Sequence, residues 1–512
     1  MAPHFANGIP PRLSMWQRVR EYAVPPSMIE TATARRAIGD WAGACAAARI
    51  DVDLDLRAVR DRHGTDSATR LRADLRRLAP DLLRWHMPRI APDGRLRPGL
   101  TLSLARYRGS GATPLHLVVR TPPAWADAGQ RMSLALWEGP GTGSPGPHPH
   151  PRPDRRFRLD LHRHLWDAER SGELPRRCGY GPEGTPYVPP SDLGELLTDG
   201  LTDGLTDGFV EHGSPWAVTR WAAEAELLLG AEGRPRGAFA VRLDARRRAV
   251  FELVAPDDSH VPTLRPLRAA LSPQEVAALP LLPEAAARLL PDLELLRAGL
   301  ITAERLHPLV AAALPVPARA PAAGPAAGAS RSIQAARAVQ AVQAADPHRV
   351  ECRGEVHRIA LRDGVLTAVD HDPAELRREE LLVALGGPAL PCLRAIDAVH
   401  RNPEALPAVR ERLRHGDVAG ALAVVEGLLG PAAVLRDGPL RRELESAAAR
   451  RVDHGLFRSG LVAVHPASGT GGGSTVHKHA ETDHRPRLDR HAPPAVRHKR
   501  TRRSRPRTGL LR

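Results

Sequence analysis

Cysteine and aromatic residues are scarce in this 512-residue chain, which has four cysteines and an aromatic content of only 4%. The cysteines, Cys45, Cys178, Cys352 and Cys392, lie far apart, and no CxxC occurs. This spacing predicts neither a zinc ribbon nor a disulfide framework. We therefore interpret all four as buried or inert thiols in a reducing compartment.

Long apolar runs are also absent. No run approaches the roughly 18 apolar residues that a membrane-spanning helix requires, so we expect no membrane span. The first twenty residues contain no apolar core of the kind found in secretory signals. These features predict a cytoplasmic protein. The only lysines are Lys478 and Lys499, and the abundance of Arg, Ala, Pro and Gly is typical of a GC-rich bacterial coding sequence.

The common catalytic signatures do not occur. The chain has no GxxxxGK[ST], no GxSxG and no HExxH. These absences exclude the familiar nucleotide, hydrolase and metalloprotease patterns. We therefore expect no cofactor, and we favour a non-enzymatic protein without excluding an enzyme.

Positive charge is concentrated at one end of the chain. The formal net charge is +15. Residues 465–512 contain 12 Lys and Arg against 3 Asp and Glu, so this segment alone carries +9. The segment is polar and rich in Gly and Pro, which predicts a disordered basic tail. Such a tail can bind nucleic acid non-specifically through phosphate contacts.

Hydrophobic periodicity predicts an α+β, multidomain protein with N-terminal helices plus an antiparallel sheet, and a C-terminal β-hairpin followed by helical hairpins. One long helix is predicted from about Ser67 to His86. All eight tryptophans lie in the first 221 residues, whereas the only aromatic residue after Phe251 is Phe457. This shift indicates two differently built halves. The predicted segments are 1–95 (helical), 96–262 (antiparallel-sheet α+β domain), 263–315 (short helices), 316–345 (linker), 346–464 (hairpin plus helices) and 465–512 (tail).

The strongest local signals lie between Glu351 and Gly387. Two alternating runs flank Asp363-Gly364, a pair typical of a two-residue hairpin turn. This turn fixes the register, so residues whose numbers sum to 727 should lie opposite each other, including His357 and Asp370. We interpret that pair as a structural cross-strand contact. Asp372 is predicted to cap the helix that follows, with Pro373 as its first residue.

One hexapeptide pattern occurs twice. Gly39–Ala44 and Gly416–Ala421 share five of six residues, in the form Gly-Asp-x-Ala-Gly-Ala. We predict a left-handed glycine stop followed by an aspartate N-cap in both places. The pattern resembles the start of a tetratricopeptide-type helix, but two isolated copies lack the tandem period.

The best metal-like cluster is FRLDLHRHL, Phe157–Leu165, which we predict to be a strand. Its leucines would face one side, and Asp160, His162 and His164 the other. Side chains two apart on one face of a strand can chelate a metal. The alternative is a solvated face of an edge strand.

Three functional hypotheses follow. We favour a non-enzymatic scaffold or interaction protein with an unknown protein partner, because several modules lack a coherent catalytic set. The second is a nucleic-acid-associated protein that uses the basic tail. The third is a metal-dependent enzyme built around Asp160, His162 and His164.

Overall fold

The computed structural model describes residues 9–107, 114–139, 148, 150–179, 215–234, 236–245, 247–254, 263–267, 271–314, 348–362, 365–430 and 434–461. The linker, the basic tail and the Asp363-Gly364 turn predicted from the sequence lie outside these ranges. The chain divides into a first unit, Met1–Val316 with Asp453–Arg512, and a second unit, Pro317–Val452. Helices combine with several antiparallel sheets, which confirms the α+β, multidomain class.

The first unit contains many short helices, several of which begin with proline at a first-turn position. The α-helices are Pro11–Tyr22, Pro26–Ala37, Trp41–Ala47, Leu56–Arg77, Pro80–His86, Leu174–Arg177, Trp221–Ala231, Pro273–Ala278, Glu284–Ala287, Pro291–Arg297 and Pro308–Ala313. The 3₁₀ helices are Ala124–Ala126, Ala128–Gln130, Leu159–Leu161, Arg163–Leu165, Ala168–Glu173, Val218–Arg220 and Ala303–Arg305.

The single long helix predicted over 67–86 is wrong. The helix Leu56–Arg77 ends before Leu78, whose ψ of 122° is extended, and a separate helix begins at Pro80. Proline disfavours helical conformation in the preceding residue, so the chain breaks here although the apolar spacing continues.

A mixed four-stranded sheet forms the centre of the first unit. Its strands are β1 (Ile50–Asp53), β4 (Thr101–Tyr107), β5 (Leu115–Arg120) and β6 (Met132–Trp137), in the order β1-β6-β5-β4. β1 joins β6 in parallel, whereas the other pairs are antiparallel. The short hairpin β2 (Arg89–Ile90) and β3 (Arg95–Leu96) precedes β4.

A second, antiparallel sheet consists of β7 (Gly237–Arg242), β8 (Arg248–Val254) and β9 (Thr263–Pro266). Two apolar cores result. One packs the N-terminal helices and the four-stranded sheet with residues from Leu293 to Leu314. The other surrounds Trp221, Phe239 and Phe251.

The second unit begins with the sheet β10 (His348–Cys352), β11 (Glu355–Arg362) and β12 (Val365–Ala368). Its helices are Pro373–Ala384, Pro391–Arg401, Leu406–Arg414, Val418–Leu429 and Pro439–Arg458, the last of which ends in residues assigned to the first unit. Among the described residues, none of the helices combines the length and apolarity needed to cross a bilayer.

The predicted register between β11 and β12 is confirmed, because Ile359 lies opposite Ala368 and Leu361 opposite Leu366. The expected contact between His357 and Asp370 is not the one that forms. Asp370 accepts hydrogen bonds from the backbone N–H and guanidinium of Arg358 at 2.6–3.0 Å. His357 instead stacks on His371, with ring centroids 4.1 Å apart. The last backbone contact of this pair is the hydrogen bond from the Val369 N–H to the Arg358 carbonyl, at 2.9 Å, which places Asp370 next to Arg358.

Candidate anion-binding cavity

A cavity of about 730 Å³ lies within the first unit. This volume is in the range of small-molecule sites. Its walls come from the helix Pro11–Tyr22, the turn before β2, the 3₁₀ segment near Leu159, the end of β7 and the helices near Glu284 and Pro291. Trp16, Met87 and Phe157 contribute apolar surface.

Arginine dominates the polar lining. The cavity is lined by eight arginines, Arg12, Arg20, Arg89, Arg97, Arg177, Arg220, Arg242 and Arg288, but by only two carboxylates, Asp244 and Glu284. A guanidinium presents several N–H donors in a planar fork and stays charged at neutral pH. The residues that line the cavity therefore carry a large excess of positive charge. Carboxylates outside the lining reduce this excess.

Three of these arginines are neutralised by carboxylates just outside the lining. Arg20 donates two hydrogen bonds of 2.8 Å to Asp292, and both side chains are almost fully buried. Asp292 also accepts a 3.1 Å hydrogen bond from the indole of Trp85. The guanidinium of Arg20 lies 4.3 Å from the centre of that ring. These contacts fix one wall of the cavity.

Another part of the lining is fixed by a second buried pair. Arg177 donates two hydrogen bonds, of 2.7 and 2.6 Å, to Glu224. Burial raises the pKa of Glu224, but His162 and Arg177 outweigh it and hold that pKa at about 2. Arg12 forms a third ion pair, with Glu294. Arg220 lies 3.8 Å from Glu224. Because Glu224 already pairs with Arg177, it neutralises the charge of Arg220 only in part.

Arg89, Arg97 and Arg288 have no carboxylate within 4.0 Å among the residues that the structure describes. Arg89 donates to the backbone carbonyl groups of Arg84 and Gly94, and its Nε has no partner in this part of the chain. Burial lowers the pKa of Arg89 to about 9 and also lowers that of Arg288. Arg288 lies over the ring of Trp216 at 4.4 Å. Burial is costly for a cation, and at Arg288 the nearby charges of Glu284 and Glu294 do not offset that cost, so an anion in the cavity would relieve it.

Two histidines complete the polar lining. His86 directs Nδ1 at the backbone carbonyls of Leu82 and Leu165, at 3.1 and 3.2 Å. Burial lowers its pKa to about 4, although Asp292 opposes that shift. Burial also lowers the pKa of His164, well below its usual value. Both rings are neutral at pH 7, so the positive charge of the cavity comes from arginine.

The strand predicted over 157–165 is wrong, and with it the shared face of Asp160, His162 and His164. The segment forms two 3₁₀ turns, held by backbone hydrogen bonds such as that from the His162 N–H to the Leu159 carbonyl at 3.0 Å. Leu159 and Leu165 join one core, while Leu161 packs against the other. Two cores on different sides of the segment explain why it coils.

The three predicted metal ligands take different contacts. Asp160 accepts hydrogen bonds of 2.8–3.2 Å from Arg158, and Arg106 lies 3.5 Å away. His162 lies 3.2 Å from Glu224, and only His164 lines the cavity. Their donor atoms do not form a group within 4.8 Å. A metal at these residues stays a prediction, without the strand geometry that motivated it.

The cavity itself was not foreseen from the sequence. Its arginines are spread from Arg12 to Arg288, and no local motif joins them. No family model, curated protein or solved structure matches this chain.

Proposed function

We propose that the first unit binds a small organic anion of the phosphate-ester class in the arginine-lined cavity. The observation that carries this proposal is the position of Arg89, Arg97 and Arg288 in the lining without a carboxylate partner among the described residues. A phosphate group carries close to two negative charges at neutral pH and accepts bidentate hydrogen bonds from guanidinium groups. It therefore satisfies several arginines at once.

The apolar part of the lining indicates the rest of the ligand. Trp16, Met87 and Phe157 contribute surface suited to an aromatic or aliphatic group rather than to a free inorganic ion. The preformed walls around Arg20 and Arg177 favour a rigid site, which lowers the entropic cost of binding.

Thermal unfolding of the full-length chain with inorganic phosphate, pyrophosphate and ATP tests the proposal. Tryptophan fluorescence reports the first unit, because all eight tryptophans lie in it. A ligand that binds only the folded state raises the melting temperature. We expect the organic phosphate to give the largest increase, and calorimetric titration to show saturable binding.

Two substitutions separate specific binding from general charge effects. Removing one charge-assisted contact costs about 1.5–3 kcal/mol, so R97Q and R288Q should each weaken binding about tenfold or more. The control is R265Q, because Arg265 is exposed and outside the cavity. R97Q should leave the melting temperature of the ligand-free chain unchanged, whereas R288Q should lower it slightly because the contact with the Trp216 ring is lost. Equal binding by R288Q and R265Q, or no increase with any of the phosphates, would rule the proposal out.

The earlier hypotheses remain as predictions. One observation favours the interaction-protein hypothesis: Leu381, Leu382 and Leu385 of the second unit are 64%, 51% and 85% exposed. Pull-down experiments that recover no reproducible partner would count against it. The nucleic-acid hypothesis depends on the tail, and binding that survives deletion of residues 465–512 would contradict it.

A further inference from the structure

Two cysteines and a histidine converge inside the second unit. Cys352, His371 and Cys392 are 0%, 8% and 0% exposed, and their donor atoms lie within 4.8 Å of one another. Among the described residues, this is the one group of three or more His, Cys, Asp or Glu side chains that meets this distance. The residues are 19 and 21 positions apart, so no sequence motif predicted their meeting.

Three separate elements bring these side chains together. Cys352 ends β10 at a two-residue turn, in which Arg353 and Gly354 have φ of 59° and 85°. Both positive values suit the tight hairpin turn that points the Cys352 side chain at the core. Cys392 is the second residue of the helix Pro391–Arg401. His371 lies in the loop between β12 and the helix Pro373–Ala384. It follows Asp370, which accepts a hydrogen bond from Arg358.

The environment of His371 resembles that of a metal ligand. Its Nδ1 lies 3.7 Å from the carboxylate of Glu375, and its Nε2 is buried without a partner among the described residues. Histidines that bind metals usually place one ring nitrogen next to a carboxylate or carbonyl and give the other to the metal. A buried imidazole nitrogen with no partner is otherwise costly.

A second histidine lies beside this group. The ring of His357 stacks on that of His371 at a centroid distance of 4.1 Å, and its Nδ1 is also buried and without a partner in this part of the chain. Val350 lies opposite His357 in the β10–β11 pair, which places His357 and Cys352 on the same face of the sheet.

We propose that Cys352, Cys392 and His371 bind one zinc ion, with Glu375 as the residue that orients His371. Two thiolates and one imidazole are typical zinc ligands, and each thiol releases its proton to solvent on binding. Iron–sulfur clusters are disfavoured because they are normally held by four cysteines, or by two cysteines with two histidines at paired irons. The ion joins the hairpin to the helix Pro391–Arg401 beside four further buried apolar residues, Ile359, Ala368, Leu390 and Ile396.

Metal analysis of the full-length chain, purified under reducing conditions, tests the site directly. We expect one zinc ion per chain. Cobalt added to the metal-free chain should give thiolate-to-metal charge-transfer absorption, with about half the intensity in C392S because one of two thiolates is lost. C45S is the matched control, because Cys45 is equally buried but lies in the first unit.

The remaining variants test each assigned role. H371A should lower cobalt affinity at least about tenfold, and E375Q about tenfold through the orientation of His371. Wild-type chain that binds neither zinc nor cobalt under reducing conditions, or that shows equal charge-transfer intensity in C392S and C45S, would overturn the proposal. The cobalt titration of wild-type chain does not depend on whether any variant folds.

Discussion

Burial sets the charge of several histidines in the first unit. Burial is the largest cause that lowers the pKa of His86, His116 and His148, each to about 4. His116 lies 2.8 Å from the Ser103 hydroxyl, and His148 Nε2 lies 2.9 Å from the Thr121 carbonyl. Each ring is therefore neutral and hydrogen-bonded in the folded chain at pH 7.

These histidines predict acid sensitivity of the first unit. An unfolded histidine titrates near pH 6.5, whereas His86 titrates near pH 4 when folded. Between these values the unfolded state binds more protons, so the free energy of unfolding falls as pH decreases. The loss for His86 alone is about 3 kcal/mol at pH 4 and vanishes above pH 6.5. Tryptophan-monitored unfolding from pH 7.5 to 4.5 measures this loss.

The variant H86Q isolates the contribution of His86. It should show a shallower decline in the free energy of unfolding between pH 6.5 and 4, whatever its stability at pH 7.5. Parallel pH curves for H86Q and the wild-type chain would contradict the assignment.

At the residue scale, the sequence shows which side chains can titrate but not which partners they meet. The spacing of Asp160 and His162 predicts metal ligands, whereas Asp160 accepts a hydrogen bond from Arg158 and His162 lies beside Glu224. Glu224 is 62 positions beyond His162, so no local pattern could have joined them.

Among the helices, the repeated Gly-Asp-x-Ala-Gly-Ala pattern forms the same structure twice. Gly39 and Gly416 have φ of 78° and 83°, and the following aspartates accept hydrogen bonds from the N–H groups of Gly43 and Gly420. A Cβ on Gly43 or Gly420 would lie 2.0 or 2.1 Å from the capping carboxylate. The second glycine is therefore required by the close approach of the cap. The prediction of a glycine stop and aspartate cap is confirmed in both units.

This geometry predicts opposite effects for two glycines of one helix. In Val418–Leu429, G427A should raise the free energy of unfolding by up to about 1 kcal/mol, because alanine favours the helix and the site is open. G420A should lose that gain, because its Cβ displaces the Asp417 cap, which is worth about 1 kcal/mol. Chemical denaturation monitored by circular dichroism measures both variants. Equal stabilisation by G420A and G427A would show that the cap does not restrict this position.

Elements whose local sequence signals agree with one another were predictable. β11 and β12 pair in the predicted register, and Asp372 caps the helix that begins at Pro373, as predicted. The strand predicted over 157–165 is wrong because the leucines of this segment pack into two different cores. Alternation of apolar residues along the chain cannot reveal a second core. The missed parallel strand β1 has only four residues and depends on its partner β6.

On the scale of the whole molecule, the first unit is completed by a segment that follows the second in sequence. Phe457 packs edge-on against Trp125 with ring centroids 5.8 Å apart, and His454 lies 2.8 Å from the Ala126 carbonyl. Arg458 donates two hydrogen bonds to Asp53, 405 positions earlier. All of these residues belong to the first unit.

Removing this aromatic contact should destabilise the first unit. Phe457 is 4% exposed. Truncating a buried phenylalanine to alanine costs about 3–5 kcal/mol, and we expect about 3 kcal/mol here because the surrounding apolar cluster is small. F457A should lower the urea midpoint of the tryptophan-monitored transition, whereas L461A, at a site 77% exposed, should leave it unchanged. Equal midpoints for the two variants would show that the segment contributes no stability.

Long-range convergence was the least predictable property of this chain. The sequence indicated aromatic and aromatic-poor halves, but the cavity arginines and the Cys352–His371–Cys392 group each unite residues from separate elements. Such groups are set by packing between elements, for which one sequence contains no local signal.

The late position of Asp453–Arg458 has a consequence for synthesis on the ribosome. The first unit cannot gain Phe457 or Arg458 until all of Pro317–Val452 has been translated. At typical elongation rates this takes roughly 10 seconds or more. During that interval Trp125 lacks its aromatic neighbour, so the nascent first unit exposes an unfinished apolar surface while the second unit emerges.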